Sequence, residues 1–277
     1  MDPVCNLNGS IVPLSQARVG VLDLGVLRGF GIYEGLAAFA GEPFHFSDHW
    51  ERFKISADAL GLVLPFSEKE SLEMMRAVIE ENSSGRRAHI RMVLTGGEAR
   101  EGIKHVAGRE TFFITAEPAT MLPEVLYANG APLLTHEHQR AFPAYKTTNY
   151  ITAVLLQKKL EAAGAIEGLY VAGGMALECT TSNVFIVQNG SVITPKENIL
   201  LGITRKVVLD IARKSHPTEE RAVSIDELLG ADEVFITSSF KDIIPVASVD
   251  AKAIGSGSPG PVTRDLMKSF AQHTDSH

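Results

Sequence analysis

The stretch that most restricts the fold of this chain is SNVFIVQNGSVITP, residues 182–195. Two runs rich in β-branched and aromatic residues flank Asn189-Gly190. An Asn-Gly pair accepts the left-handed backbone of a two-residue hairpin turn, so the runs are predicted to fold back on each other as antiparallel strands. ADEVFITSS reads as a further strand, ending in a cluster of hydroxyls. The second half of the chain is therefore built on sheet.

Helices alternate with these strands. FSDHWERFKISADALGL is predicted helical, with Ser47 as N-cap and Trp50, Phe53, Ala57 and Leu60 on one face. EKESLEMMRAVIEEN is a second helix, and RAHIRMVLTGG and ETFFITAEP are strands. Together they predict a small N-terminal α+β domain over residues 1–118. AEPATMLPE has two prolines and little apolar periodicity, and an interdomain linker is placed at 119–127. A larger domain follows over 128–277. It opens on the strand-like VLYANGAPLLTH and continues with a helix from Tyr150 to about Ala163, stopped by Gly164. A helix starts after Gly202 in GITRKVVLDIARKS, TRDLMKSFAQ is a terminal helix, and HTDSH is expected to fray.

Composition narrows the function. The 277 residues carry 26 Lys and Arg against 33 Asp and Glu, a formal charge of −7. That balance argues against a broad nucleic-acid-binding face, which needs clustered positive charge. No apolar run approaches the roughly 20 residues that span a bilayer, and the first residues do not read as a signal peptide. Cys5 and Cys179 are too few for a disulfide framework, so a cytoplasmic location is expected. No metal is expected: His136 and His138 alternate in THEHQR without a third ligand.

Several segments can carry chemistry. In LLGITRKVVLDI, Gly202 precedes a helix whose first N–H groups, on Ile203 and Thr204, lack partners in the helix and can hold a phosphate together with the Thr204 hydroxyl. Thr237, Ser238 and Ser239 end a strand, where hydroxyls form either a turn or an anion site. Arg52 flanks the Trp50/Phe53 face, as an exposed helix arginine or as a clamp on phosphate. Glu178 lies in the strand-like MALEC, either at a water-facing edge or paired within the core. Lys146, in FPAYKTTNY, is a surface charge or a buried amine kept for chemistry.

In this order the segments resemble one family. H-x-x-R-F at Arg52, K-T-x-N-Y at Lys146, E-x-x-x-S-N-x-F at Glu178, then G-I-T-R and a strand ending T-S-S look like the fold-type IV, pyridoxal-phosphate-dependent aminotransferases. That group includes branched-chain and D-amino-acid aminotransferases and aminodeoxychorismate lyase. The resemblance implies a two-domain α+β fold: a small N-terminal α/β domain and a larger, β-barrel-like C-terminal domain with helices. It implies that Lys146 forms the Schiff base with pyridoxal 5'-phosphate and then shuttles a proton. Glu178 would keep the ring nitrogen protonated. Arg52, Ile203, Thr204 and Ser239, with Ser238, would cup the phosphate, Tyr150 would reach the phenolic oxygen, and Leu200 would pack on the ring. It also implies a homodimer with a shared active site, acting on amino acids and 2-oxo acids.

The sequence departs from its relatives near the substrate. Branched-chain enzymes carry one more residue between the lysine and the tyrosine. The Arg-x-His carboxylate trap of the best-known D-amino-acid enzymes is missing from MVLTGGEAREG, where Arg100 reads as a solvated loop residue. GVLRGFGIYEG instead offers Arg28 and Tyr33 as substrate-binding residues, as in a less familiar group of D-amino-acid transaminases. D-amino acids are therefore the expected donors. The alternatives are a branched-chain L-amino-acid aminotransferase, an aminodeoxychorismate lyase, and a cofactor-binding protein without turnover.

Overall fold

The computed structural model describes residues 2–83 and 85–275. Two compact units divide the chain. Among the described residues, the first holds those up to 120 together with 145–150, and the second holds 121–144 and 151–275.

The first unit contains β1 (Val4–Leu7), β2 (Ser10–Pro13), α1 (Leu24–Arg28), β3 (Gly31–Phe39), β4 (Glu42–Pro43), α2 (Phe46–Leu60), α3 (Glu68–Ser83), β5 (Ala88–Thr95) and β6 (Thr111–Pro118). Its strands form one antiparallel sheet in the order β2-β1-β6-β5-β3-β4. Side chains alternate along β3, so Ile32, Glu34, Leu36 and Ala38 share one face, and all four are buried. Trp50, Phe53 and Ala57 of α2 pack with Ile32, Leu36 and Ala38, and Met75, Val78 and Ile79 of α3 complete that core. A carboxylate therefore lies in an apolar row. Burying Ile32 and Leu36 contributes roughly 3–6 kcal/mol, comparable to the several kcal/mol that desolvating one ion costs. Glu34 thus needs a charged partner.

Helix α2 begins two residues earlier than an N-cap at Ser47 would place it. His45 occupies the cap with φ 51°, and its Nδ1 lies 3.0 Å from Asp48 Oδ2. Phe46 already belongs to the buried face, its ring 6.2 Å from that of Trp50. Ser47 is therefore inside the first turn.

The second unit contains α4 (Glu124–Asn129), β7 (Ala131–Glu137), α5 (Ile151–Ala163), β8 (Glu167–Ala172), β9 (Met175–Cys179), β10 (Asn183–Gln188), β11 (Ser191–Thr194), α6 (Ile203–Ala212), β12 (Thr218–Glu220), β13 (Val223–Ser224), α7 (Ile225–Leu229), β14 (Glu233–Ser238), β15 (Asp242–Val249), β16 (Lys252–Ala253) and α8 (Pro261–Asp275). The strand order is β12-β11-β10-β14-β15-β7-β8-β9-β13, with β16 beside β15. One further pairing, Glu178 with Asn183, joins β9 to β10 and closes the central strands into a barrel-like ring. Leu133, Leu169, Val184, Ile186, Val234, Ile236 and Ile244 belong to its apolar core. The β10–β11 hairpin turns at Asn189 (φ 50°) and Gly190 (φ 76°), as the Asn-Gly pair predicts.

Two further sequence readings change. Residues 125–129, expected as strand, are the helix α4, started at Pro123 and ended at Gly130. A short apolar run fits either period, and Pro favours the first position of a helix. Helix α8 runs to Asp275, so residues 273–275 are helical rather than frayed, and the last two residues lie outside the described ones.

Candidate active site

The candidate residues fall into two groups, one in each unit. In the first unit, β3 organises everything. Tyr33 N–H donates to the Lys146 carbonyl at 2.9 Å, Ile32 and Thr147 form a bridge, and Thr148 N–H donates to the Gly31 carbonyl at 2.9 Å. The lysine segment is thus laid along the start of β3 as an extra antiparallel strip. Lys146 N–H also reaches Ser56 Oγ on α2, at 3.4 Å. Lys146 Nζ lies 4.5 Å from the centroid of the Tyr33 ring, a cation–π distance. The Tyr150 ring meets the same tyrosine edge-on, centroids 5.6 Å apart. Lys146 is half-buried, and no carboxylate pairs with it among the described residues.

Behind Tyr33, on the core side of β3, stands Glu34. Arg52 Nε donates to Glu34 Oε1 at 2.8 Å and Arg52 Nη2 to Oε2 at 2.6 Å, a two-pronged contact. His49 Nδ1 lies 2.7 Å from Oε2. Burial pushes the Glu34 carboxyl up, but the Arg52 charge and the hydrogen bonds from Arg52 and His49 outweigh it and hold the group at about 2. Burial lowers His49 against the pull of Glu34, and the charges of Arg52 and Lys146 lower it further. Arg52 is therefore not an exposed helix arginine. Its Nε and Nη2 are committed to Glu34.

Arg28 ends α1, exposed, with Nη1 donating to the neighbouring Leu27 carbonyl at 2.7 Å. Asp23 fixes that short helix. Its carboxylate accepts from Gly25 N–H at 2.6 Å and from the Thr95 and Thr111 hydroxyls at 2.8 and 2.7 Å. Arg100 is exposed, 4.0 Å from Glu98.

In the second unit the barrel seam sets the arrangement. Glu178 pairs with Asn183, and Asn183 with Thr237, so the three stand side by side on β9, β10 and β14. Directly opposed residues point to the same face of a sheet, and two strand spacings separate Glu178 from Thr237 by about 10 Å. Glu178 is buried, which removes the water-facing alternative. Arg140 Nε donates to Glu178 Oε1 at 2.7 Å, and Leu200 N–H donates to Oε2 at 3.0 Å. Asn183 Nδ2 donates to the Leu200 carbonyl at 2.7 Å. The Leu200–Gly202 turn is so close to Asn183 that a Cβ on Gly202 would come within 2.2 Å of Asn183 Oδ1. Gly202 is the N-cap of α6, and no side chain caps the helix. Ile203, Thr204 and Leu200 are all buried.

The hydroxyls at the end of β14 add a second anomaly. Thr237 Oγ1 and Ser238 Oγ are buried without a hydrogen-bond partner among the described residues. Ser239 lies in the β14–β15 turn. Orphaned buried hydroxyls are rare in folded proteins and mark a place where an acceptor belongs. His136 and His138, by contrast, are half-buried and pack with the buried Tyr170, the His138 and Tyr170 rings 4.8 Å apart.

A family model, amino-transferase class IV, matches residues 31–249, most of the chain. The chain belongs to the class IV aminotransferases. Among curated class IV relatives, a putative branched-chain-amino-acid aminotransferase of Methanocaldococcus jannaschii is 33% identical over 274 residues, covering 95% of this chain and 94% of the relative. A D-alanine aminotransferase of Bacillus licheniformis is also 33% identical, over 267 residues, with the same coverage. The fold is similar to solved branched-chain aminotransferases. The Escherichia coli enzyme superposes with a TM-score of 0.91 at 28% identity, covering 98% of this chain and 94% of that one. A T.th. branched-chain aminotransferase with pyridoxamine 5'-phosphate has a TM-score of 0.90 at 28% identity, covering 99% and 94%. The family and the fold expected from the sequence motifs hold.

Glu34, His49 and Arg140 stand beside the class IV motif residues without having been assigned a role from the sequence, and Asn183, within the E-x-x-x-S-N-x-F motif, was given none of its own. Glu34 left a signal, an acid in phase with Ile32 and Leu36 on one strand face. Arg140 left none, because its partner lies 38 residues away.

Proposed function

We propose that this chain transfers an amino group between an amino acid and a 2-oxo acid, with pyridoxal phosphate attached at Lys146 and D-amino acids as the better donors. The observation that carries the reading is Lys146 itself: half-buried, pinned to β3, its amine over the Tyr33 ring and without a carboxylate partner among the described residues. A surface lysine needs none of this, whereas a lysine that must lose a proton and attack a carbonyl gains from being kept from acids.

The donor set fits the cofactor. Thr237 and Ser238 carry two hydroxyls with no partner among the described residues, and α6 begins with uncapped N–H groups at Ile203 and Thr204. Both features suit a phosphate. When bound, pyridoxal phosphate supplies an aldehyde that captures amines and a ring that accepts electrons. The chain does the rest. Lys146 Nζ would hold the cofactor, and its amine would carry the proton taken from the substrate α-carbon. Glu178 keeps a proton on the ring nitrogen, and Leu200 packs on the ring. Ile203, Thr204, Ser238, Ser239 and the outer edge of the Arg52 guanidinium bind phosphate. Tyr150 donates to the phenolic oxygen. Arg28 and Tyr33 receive the substrate.

The assembly we propose is a homodimer, supported by the exposed apolar side chains of Ile151, Val154 and Leu155 along α5 (68%, 67% and 73% exposed). Two unpaired, buried cysteines suit a reducing cytoplasm. No helix of the described residues is long and apolar enough to cross a membrane.

Handedness rests on Arg28, whose planar fork suits a carboxylate and whose hydrogen bond here goes to a neighbouring carbonyl. The second reading, branched-chain L-amino acids, is favoured by the M. jannaschii relative and by the solved neighbours. The deciding experiment compares kcat/KM for D-alanine, D-glutamate, L-leucine and L-valine in the wild type and in Arg28→Ala. D-donors are expected to lead, and the variant is expected to lose most of that activity. A strong preference for L-leucine overturns the D assignment. An equal loss on amines lacking a carboxylate overturns the role of Arg28.

A further inference from the structure

Glu178 is not alone. Arg140 leaves β7 and the turn after it, and its guanidinium does two things. Nε donates to Glu178 Oε1 at 2.7 Å, and Nη2 donates to the Pro143 carbonyl at 2.5 Å. Nη1 points to the Phe142 carbonyl at a longer 3.5 Å. Both ion-pair partners are close to fully buried, with side chains 14% and 9% exposed. One cation thus joins the Glu178 carboxylate to the backbone of residues 142–143, which continues three residues on into Lys146.

We propose that Arg140 is a positioning residue that sets the charge and aim of Glu178. The inference rests on the reading of Glu178 as the partner of the cofactor's ring nitrogen. A lone buried carboxylate would be driven to its neutral form by desolvation, and a neutral acid cannot hold a proton on a ring. The Arg140 charge opposes that, and its fork leaves Oε2 to the Leu200 amide, so the carboxylate cannot swivel. Arg140 therefore acts on the ring through Glu178, by keeping that carboxylate ionised and aimed.

A purely structural arginine would do none of this, and spectroscopy separates the two. The purified protein, wild type and variants Arg140→Met, Arg140→Lys, Glu178→Gln and Arg140→Met with Glu178→Gln, is loaded with pyridoxal phosphate. The pH midpoint of its visible absorbance, the rate of cofactor capture and the melting temperature are measured. Loss of the cation in Arg140→Met is expected to move the midpoint by about one unit, towards that of Glu178→Gln. Arg140→Lys keeps the charge and loses the fork, so its midpoint is expected to stay near wild type while capture slows. In the Glu178→Gln background, removing Arg140 is expected to move the midpoint little. A wild-type midpoint and capture rate in Arg140→Met overturn the proposal, as does an equal shift with and without Glu178. If Arg140→Met fails to fold, Arg140→Lys decides: a midpoint displaced as far as that of Glu178→Gln counts against the charge argument. Should the wild type show no Lys146-dependent absorbance at all, the reading of the site falls and this proposal with it. A normal wild type with an indifferent Arg140→Met overturns this proposal alone.

Discussion

Tyr33 holds Lys146 twice: its amide donates to the lysine carbonyl at 2.9 Å, and its ring lies 4.5 Å from the lysine Nζ. Main chain and side chain of one residue thus fix both ends of the proposed cofactor-bearing group. Replacing that group should leave the strip intact. Lys146→Ala is expected to keep a melting temperature close to wild type, lose the visible cofactor absorbance and lose transamination by more than the roughly 10²–10⁴ that an acid–base group alone supplies. Absorbance spectra, melts and single-turnover rates check this, and near-normal turnover rules the assignment out.

Arg52 has two employments, Glu34 and the proposed phosphate. Arg52→Ala leaves Glu34 buried with His49 as its remaining partner, at a cost of about 3–5 kcal/mol in stability. It also removes a charged donor worth about 1.5–3 kcal/mol to a ligand, or roughly 10- to 100-fold in affinity. Adding Glu34→Gln to Arg52→Ala is expected to recover much of the stability and none of the affinity. Urea unfolding and cofactor titration of the apoprotein separate the two. Recovery of both together means that Arg52 only builds the core.

Acid should find the same carboxylate. The Glu34 pKa in the folded chain, about 2, lies below the ordinary 4.5, with burial opposing and Arg52 the main cause of the fall. The unfolded chain therefore binds that proton first as pH drops. The stability that Glu34 contributes is complete above about pH 4.5 and is lost as pH falls towards 2, a change on the order of 3 kcal/mol. The stability difference between wild type and Glu34→Gln is expected to shrink across that window. A difference that stays constant from about pH 5 to about pH 2.5 refutes the ion pair as its source.

Gly202 offers a steric test. A methyl there meets Asn183 Oδ1 at 2.2 Å, so Gly202→Ala is expected to displace the Leu200–Gly202 turn. The expected cost is about 1–3 kcal/mol, with weaker cofactor binding. Adding Asn183→Ala removes the obstruction, so the double variant should lose less than the sum of the single ones. Strict additivity in both readouts would mean that the two residues act independently.

Features with local causes were legible in the sequence. The Asn189-Gly190 turn, the α6 start at Gly202 and the α2 face of Trp50, Phe53 and Ala57 each follow from residues within a few positions of one another. The family was legible because five motifs recur in order. What stayed hidden depends on distant partners. Glu34 meets Arg52 across 18 residues, and nothing near either specifies the other. His45 takes a left-handed backbone at the α2 start, a conformation that few non-glycine residues adopt. Helix α4 escaped because its few apolar residues satisfy two periods equally.

The ring of strands in the second unit meets itself at a single residue pair, Glu178 with Asn183. Every other junction around the ring is a ladder of several pairs. A circular structure yields first at its shortest lap joint, so amide exchange there is expected to be fastest among the barrel strands. Both members of that joint also support the proposed cofactor residues. A ligand seated across it would act as a rivet, and slow exchange at Glu178 and Asn183 would then report loading of the protein more directly than its colour.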